Sequence, residues 1–186
     1  ISNSSYFNTQ EKREKLSINI YGKVLFENNN ASNGGAIGSN ILEKAESELN
    51  IKEDAEVDFI KNAAKKSEDN FDGSPCTGGA IDNLTINIAD NSKVKFTENK
   101  ADCGGAISSL KDINIFGNAE VEFIENIASS GGAIHRYDEF IDLKDFEYGL
   151  SNLYVKDSGK VLFKGNSALL EIGSESGKYL IGEGGA

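Results

Sequence analysis

Five short segments of the chain place Val and Phe two positions apart, with an intervening residue that is usually charged. In residues 93–96, Val and Phe lie two positions apart and alternate with two Lys residues. The same Val-x-Phe spacing recurs in residues 23–26, 56–59, 120–123 and 160–163. Ile or Leu alternates with Thr or Asn in residues 84–88 and 113–115. A period of two with one apolar side predicts short β-strands, each with one buried face.

Two longer motifs accompany these segments in a fixed order. The first, Phe-x-x-Asn, occurs at Phe26 and Asn29, Phe59 and Asn62, Phe96 and Asn99, Phe123 and Asn126, and Phe163 and Asn166. The second, Gly-Gly-Ala, begins at Gly34 and Gly35, Gly78 and Gly79, Gly104 and Gly105, Gly131 and Gly132, and again at residue 184. Five ordered pairs of motifs indicate an internal repeat, which decides the fold before any local feature does.

The spacing of the repeat predicts a solenoid. Phe96 and Phe123 are 27 residues apart, whereas the other Phe spacings are longer, as expected when loops are inserted into a fixed unit. We therefore predict an all-β, right-handed parallel β-helix with three short strands per coil. Residues 1–15 form a lead-in or partial coil, and residues 16–186 form one repeat array with insertions near 40–48, 63–77 and 137–152.

Each motif has a structural role in such a coil. Stacked coils would place the five Phe side chains in one internal aromatic column. The Asn side chains would lie at a corner and hydrogen-bond to one another between coils. The paired glycines would allow a positive φ and a close approach of backbones at another corner. Whether Ala or Ile of Gly-Gly-Ala-Ile points inward is left open by the sequence.

Composition removes several classes of partner. The chain has 186 residues with 19 Lys+Arg against 30 Asp+Glu, a formal net charge of −11. An acidic chain lacks the basic footprint that nucleic acid and anionic membranes require. No apolar run approaches the roughly 20 residues of a membrane helix, so we expect no membrane insertion by this segment. The polar start at Ile1, without a signal-peptide pattern, is typical of an excised or processed piece.

The sequence offers little catalytic or metal-binding chemistry. His135 is the single His, which excludes a multi-His metal site. It follows a Gly-Gly-Ala-Ile motif, and we expect it at an ordinary surface position. We predict no enzyme activity, no metal and no cofactor. A carbohydrate-active β-helix enzyme stays an alternative, because Asp142 and Asp145 belong to an acidic cluster in the last insertion.

The two cysteines and the last insertion are further candidates. Cys76 and Cys103 are 27 residues apart and fall in adjacent coils, so a disulfide between coils could form. Two thiols are the alternative, because a one-residue offset relative to the glycines turns the side chains apart. Phe140, Phe146 and Tyr148 make the 137–152 insertion the most aromatic one, which favours either a partner-binding loop or a lid over the coil edge.

Tandem Phe-x-x-Asn and Gly-Gly-Ala-Ile motifs resemble the polymorphic outer membrane protein repeat family of autotransporter adhesins. The resemblance spans about residues 16–186. It implies a passenger segment that is displayed at the outer membrane or secreted, folds as a β-helix, adheres to a host-cell surface protein or glycan receptor and self-associates. In that family the motif pairs are implicated in adhesion; here we attribute any such dependence to fold integrity. A passive structural spacer of a surface protein is the alternative function.

Open coil ends lead to a separate expectation. A solenoid whose last coil is uncovered exposes unpaired strand edges and apolar side chains. We therefore expect this chain to associate end to end, in a concentration-dependent manner.

Overall fold

The computed structural model describes residues 2–3, 17–39, 47–65, 74–136, 152–168, 170–174 and 177–181. Within these ranges the protein is all-β, without a helix. The strands are β1 (Ser2–Asn3), β2 (Ser17–Ile20), β3 (Lys23–Glu27), β4 (Asn30–Ala31), β5 (Ile37–Ser39), β6 (Glu48–Ile51), β7 (Glu56–Ile60), β8 (Ala63–Ala64), β9 (Ile81–Asp82), β10 (Thr85–Ile88), β11 (Lys93–Thr97), β12 (Ile107–Ser109), β13 (Ile113–Ile115), β14 (Glu120–Ile124), β15 (Ile127–Ala128), β16 (Ile134–Arg136), β17 (Leu153–Val155), β18 (Lys160–Lys164), β19 (Ser167–Ala168), β20 (Leu170–Ser174) and β21 (Gly177–Ile181).

Three parallel sheets run the length of the stack. Sheet A has the order β1-β5-β9-β12-β16, sheet B the order β17-β13-β10-β6-β2, and sheet C the order β18-β14-β11-β7-β3. Each of the first four turns of chain adds one strand to sheet B, then one to sheet C, then one to sheet A; in the described residues the fifth turn adds strands to sheets B and C only. The five turns are coil 1 (17–39), coil 2 (47–65 and 74–82), coil 3 (84–109), coil 4 (113–136) and coil 5 (152–168). The predicted all-β parallel β-helix is confirmed.

The coils stack in register. Phe96 of β11 lies opposite Phe59 on one side and Phe123 on the other, and Val94 likewise lies between Val57 and Val121. All the pairings within the three sheets are parallel. The repeat therefore places equivalent residues directly above one another, which turns each motif position into a column.

The core fills the space between the three sheets. It contains the inward Val, Phe, Ile and Leu side chains of sheets B and C, with Val94 and Phe96 fully buried. Both the Ala and the Ile of the Gly-Gly-Ala-Ile motif are buried in this core. Ala80, Ile81, Ala106 and Ile107 have no exposed surface. Burying apolar surface at ~25 cal/mol per Å² is the main stabilising contribution in such a stack.

The structure adds three details to the predicted organisation. Two-residue ladders, β4 with β8 and β15 with β19, form at the corner between sheets C and A. Ala63–Ala64 and Thr77 pair with neighbouring coils, and Glu48 begins β6, so the edges of the predicted insertions belong to the coils. In the predicted lead-in, Ser2–Asn3 pairs in parallel with β5.

After coil 5 the pattern changes. β20 and β21 form an antiparallel hairpin, a pairing that the repeat does not predict. A search of the described residues for a helix long and apolar enough to span a membrane found none.

Candidate functional site

The Phe residues of the repeat form one continuous stack inside the solenoid. Successive ring centroids lie 4.8–4.9 Å apart and the rings are within 8° of parallel, from Phe26 to Phe163. Phe59, Phe96 and Phe123 have no exposed surface. The predicted aromatic column is therefore present, and its three central members have no surface that a partner could contact.

The Asn residues form a second column with a fixed direction. The backbone N–H and Nδ2 of Asn62 both donate to Oδ1 of Asn99, at 3.0 Å each. Asn99 donates in the same way to Asn126, and Asn126 donates to Asn166. The second Nδ2 hydrogen of Asn99 reaches back to the carbonyl oxygen of Phe59 at 2.9 Å. Buried amides are thereby fully paired, which is the condition for burying them without a penalty.

The paired glycines are required by the corner that leads into sheet A. Gly78 has φ +62°, and a Cβ there would overlap the carbonyl oxygen of Ile81. Gly79 has an ordinary φ, but its Cβ would overlap the carbonyl oxygen of Gly105 in the next coil. The first glycine is thus needed for its conformation and the second for close backbone approach, as predicted.

A further corner conformation was missed from the sequence. The second residue after each Phe has a positive φ of 53–65°, at Asn28, Lys61, Glu98, Glu125 and Gly165. Such values are uncommon outside Gly, Asn and Asp. Gly165 and Asn28 are residue types that favour a positive φ, so they indicate this conformation in the sequence. Lys and Glu at the other three positions do not indicate it.

The outer side of sheet C carries charges that alternate from coil to coil. Lys23, Glu56, Lys93, Glu120 and Lys160 are register partners in successive strands. Lys23 Nζ lies 2.7 Å from Glu56, and Lys160 Nζ lies 2.9 Å from Glu120. Hydrogen bonding to Glu56 raises the pKa of Lys23, and hydrogen bonding to Lys23 lowers the pKa of Glu56. These pairs are exposed, so they contribute little to stability.

The outer side of sheet B carries a ladder of four Asn residues. Nδ2 of Asn50 donates to Asn19, Asn87 donates to Asn50, and Asn114 donates to Asn87, at 2.8–3.2 Å. In coil 5 the same position is Tyr154, whose ring has Lys156 Nζ 4.7 Å from its centroid. The ladder is a structural feature of the outer surface, and it ends at an aromatic side chain.

Exposed large apolar side chains concentrate in the first and last coils. Coil 1 exposes Tyr21 and Leu25, and coil 5 exposes Leu153, Tyr154, Val155 and Leu162. At the position of Leu25 and Leu162, the three central coils have Asp58, Lys95 and Glu122. The predicted partner-loop residues Phe140, Phe146 and Tyr148, and the acidic residues Asp142 and Asp145, lie outside the described residues.

In the structure Cys76 and Cys103 are both free cysteines, the second of the two alternatives that the sequence leaves open. Cys103 pairs in register with Thr77 and Ser130 rather than with Cys76. The carbonyl oxygen of Cys76 instead accepts the Cys103 N–H at 3.1 Å. The two cysteines are therefore offset by one position in the register between the coils. Burial, with a smaller contribution from Asp102, raises the pKa of the Cys103 thiol, which disfavours the reactive thiolate.

The outer side of sheet A contains a buried acid that was missed. Gly38, Asp82, Ser108 and His135 form one column in register. Asp82 is only 2% exposed, and burial raises its pKa to about 7 against the opposing effect of a hydrogen bond from Thr77. His135, predicted at an ordinary surface position, is half-buried.

In-register parallel coils around internal Phe and Asn columns define a repeat protein of the parallel β-helix class. Residues 23–40 and 93–110, in coils 1 and 3, match the profile of the Chlamydia polymorphic membrane protein repeat. Each of these two segments is therefore similar to the polymorphic membrane protein repeat. Comparison with curated proteins and with solved structures gave no match.

Proposed function

We propose that this chain is an adhesive passenger segment, exposed at the cell surface or secreted, that binds a protein or glycan receptor on host cells. The observation that supports this is the similarity of residues 23–40 and 93–110 to the polymorphic membrane protein repeat. The central members of the two motif columns, including Phe96 and Asn99, are fully buried. Because they are buried, these motif residues stabilise the fold, and outward-facing residues make the receptor contact. No catalysis and no cofactor are part of the proposal.

The outward residues of coil 5 are the best candidates for that contact. Tyr154 is 37% exposed and Leu162 is 47% exposed, at positions where coil 3 has Asn87 and Lys95. Aromatic and apolar side chains on a polar surface are typical of binding sites. Coil 5 also follows directly after the insertion that contains Phe140, Phe146 and Tyr148. We therefore assign receptor contact to coil 5 together with this insertion.

Beads coated with the chain test this assignment. They should bind host cells, and Tyr154→Ser combined with Leu162→Ser should reduce the binding. Asn87→Ser combined with Lys95→Ser changes the same two columns in coil 3 and is the matched control. Binding no greater than that of an unrelated acidic protein would contradict adhesion. Equal loss in both double variants would place the contact elsewhere.

The insertion is tested separately. Residues 138–150 can be replaced by a Gly/Ser segment of the same length, so that coils 4 and 5 stay connected. We expect binding to fall while the far-UV circular dichroism spectrum stays β-rich. Unchanged binding would remove the insertion from the contact.

A passive spacer is the second candidate function. Five coils in register support it, since each adds about 4.8 Å along the stack and the interior is uniform. A folded chain that binds neither cells nor other copies of itself, in the bead assay above, would favour the spacer over the adhesin.

End-to-end self-association is the second part of the proposal. In the described residues, β18 pairs only with β14, and β3 pairs only with β7. Continuing the repeat from coil 5 to coil 1 of another copy would place Phe163 on Phe26, Leu162 on Leu25, Lys164 beside Glu27 and Asn166 beside Asn29. Lys160 beside Lys23 would oppose the contact.

Sedimentation across a range of concentrations measures this association. The wild-type chain should shift to larger species as concentration rises, and Leu162→Asp should reduce the shift. Lys95→Asp, at the same outward position of a central coil, is the control. A monomer at all concentrations would refute the association.

A further inference from the structure

Three buried polar residues, Asp82, Asn83 and Ser108, are neighbours in the backbone of sheet A, at coils 2 and 3. Asp82 of β9 and Ser108 of β12 are register partners. The preceding residues, Ile81 and Ile107, fill the core, so Asp82 and Ser108 lie on the opposite side of the sheet. An outer position is normally solvated, yet Asp82 is 2% exposed and Ser108 is fully buried. This part of the outer surface is therefore closed to solvent.

Two oxygen atoms in this group have no hydrogen-bond partner. They are Oδ1 of Asn83 and Oγ of Ser108, and both are enclosed. Asn83 has a φ of +54°, and its N–H donates to the Ser108 carbonyl oxygen at 2.8 Å, which holds the two residues together. Unpaired buried polar atoms are rare in proteins and usually indicate a bound water or ion.

Within the described part of the chain, no Lys or Arg pairs with Asp82. Its hydrogen bond is with the Thr77 hydroxyl. That hydroxyl also lies 3.2 Å from Oδ1 of Asn33, and one hydroxyl proton cannot serve both acceptors. A buried carboxylate in this state is destabilising unless it is neutralised by a proton or by a cation.

A calcium ion would resolve both deficits. Ca²⁺ binds carboxylate and neutral oxygen atoms in flexible geometry, whereas Mg²⁺ demands a stricter octahedron and loses water reluctantly. We propose that Asp82, Asn83 and Ser108 form a calcium site on sheet A, in which the Thr77 hydroxyl and water supply further oxygen donors. With one carboxylate, the site should be weak, with a Kd of about 10⁻⁴–10⁻³ M, the range of extracellular calcium modules.

Thermal unfolding of the full chain tests the site. After treatment with chelator, addition of CaCl₂ well above the expected Kd should raise the midpoint by about 2–4 °C. Asp82→Asn and Ser108→Ala should each abolish most of that rise. The neutral isostere at Asp82 removes the buried charge and is expected to fold, and the Ser108 variant gives an independent test. MgCl₂ should raise the midpoint less than CaCl₂.

The main control addresses non-specific binding to an acidic chain. Asp58→Asn removes a half-buried acid on the outer side of sheet C, far from the site in the register, and should keep the full calcium response. Titration calorimetry should give one site per chain for the wild type. No calcium response in the wild type would overturn the proposal and leave ordered water as the content of the site. An equal response in Asp82→Asn would overturn it as well.

Discussion

The two sides of one strand, β11, differ in what they require of a side chain. Val94 and Phe96 face the core and lie against the same residues in both neighbouring coils. Lys93 and Lys95 face outward and lie beside residues of other types, Glu56, Glu120, Asp58 and Glu122. Inside, a residue must pack against copies of itself. Outside, it needs only a compatible neighbour, which leaves that side open to variation and to binding.

The largest expected loss of stability comes from substitution of Phe96, whose outward neighbour in the strand is Lys95. Phe96→Ala removes a ring stacked on both sides in the centre of the core, and should lower the free energy of unfolding by about 3–5 kcal/mol. Urea denaturation measures the loss. A loss below that of a surface substitution would mean that the column is not a packed core.

The Asn column should show the next largest effect. Asn99→Ala removes the acceptor of two Asn62 donors and leaves buried groups unpaired, at about 1–3 kcal/mol for each such group. Asn87→Ala, in the half-buried outer ladder of the same coil, is the control and should cost less because water can replace its partners. Equal losses at the two positions would contradict the distinction between inner and outer ladders.

Asp82 is an acid on an outward position that is nevertheless buried, and we expect it to make the stability of the fold depend on pH. Because burial raises its folded pKa to about 7, the folded state holds a proton that the unfolded state loses near pH 4. The stabilisation that comes from this proton is complete below the unfolded pKa and is lost as pH rises through about 7. The free energy of unfolding should therefore fall by ~1 kcal/mol per pH unit between about pH 5 and 7.

The measurement compares wild type with Asp82→Asn in chelator. Their difference in unfolding free energy should change with pH in this window, in favour of the variant at higher pH. Parallel pH profiles would show that Asp82 does not titrate as its burial requires.

The smallest effect is expected from the outward charges. Lys95→Gln removes an ion pair with Glu122, 3.2 Å long and partly exposed, and should change stability by less than about 0.5 kcal/mol. Added salt should reduce even that difference. A loss comparable to that of Phe96→Ala would overturn the comparison of the two sides.

The columns could be predicted because repetition reveals them. Phe96 and Asn99 recur at a fixed spacing, and a parallel coil must place such residues above one another. Asp82 could not be predicted, since alternation shows which side of a sheet a residue takes but not whether that side is covered. The left-handed corner at Lys61 and Glu98 was missed for another reason: ordinary side chains there carry no signal of a positive φ.

The cysteines show the limit of spacing as a guide. A separation of 27 residues places Cys76 and Cys103 in adjacent coils, as expected. A shift of one residue still makes Thr77, and not Cys76, the register partner of Cys103. A spacing of one repeat therefore does not ensure that two residues are register partners.

The alternating charges on sheet C also favour the pairing of each coil with its immediate neighbour in the chain. The Phe and Asn columns are the same in every coil, so they cannot distinguish a neighbour from the coil after it. A chain that omitted coil 3 while folding would place Glu56 against Glu120, and one that omitted coil 2 would place Lys23 against Lys93. Like charges directly opposite each other are unfavourable. This exposed row of side chains, although each pair contributes little to stability, therefore disfavours pairings in which one coil is skipped.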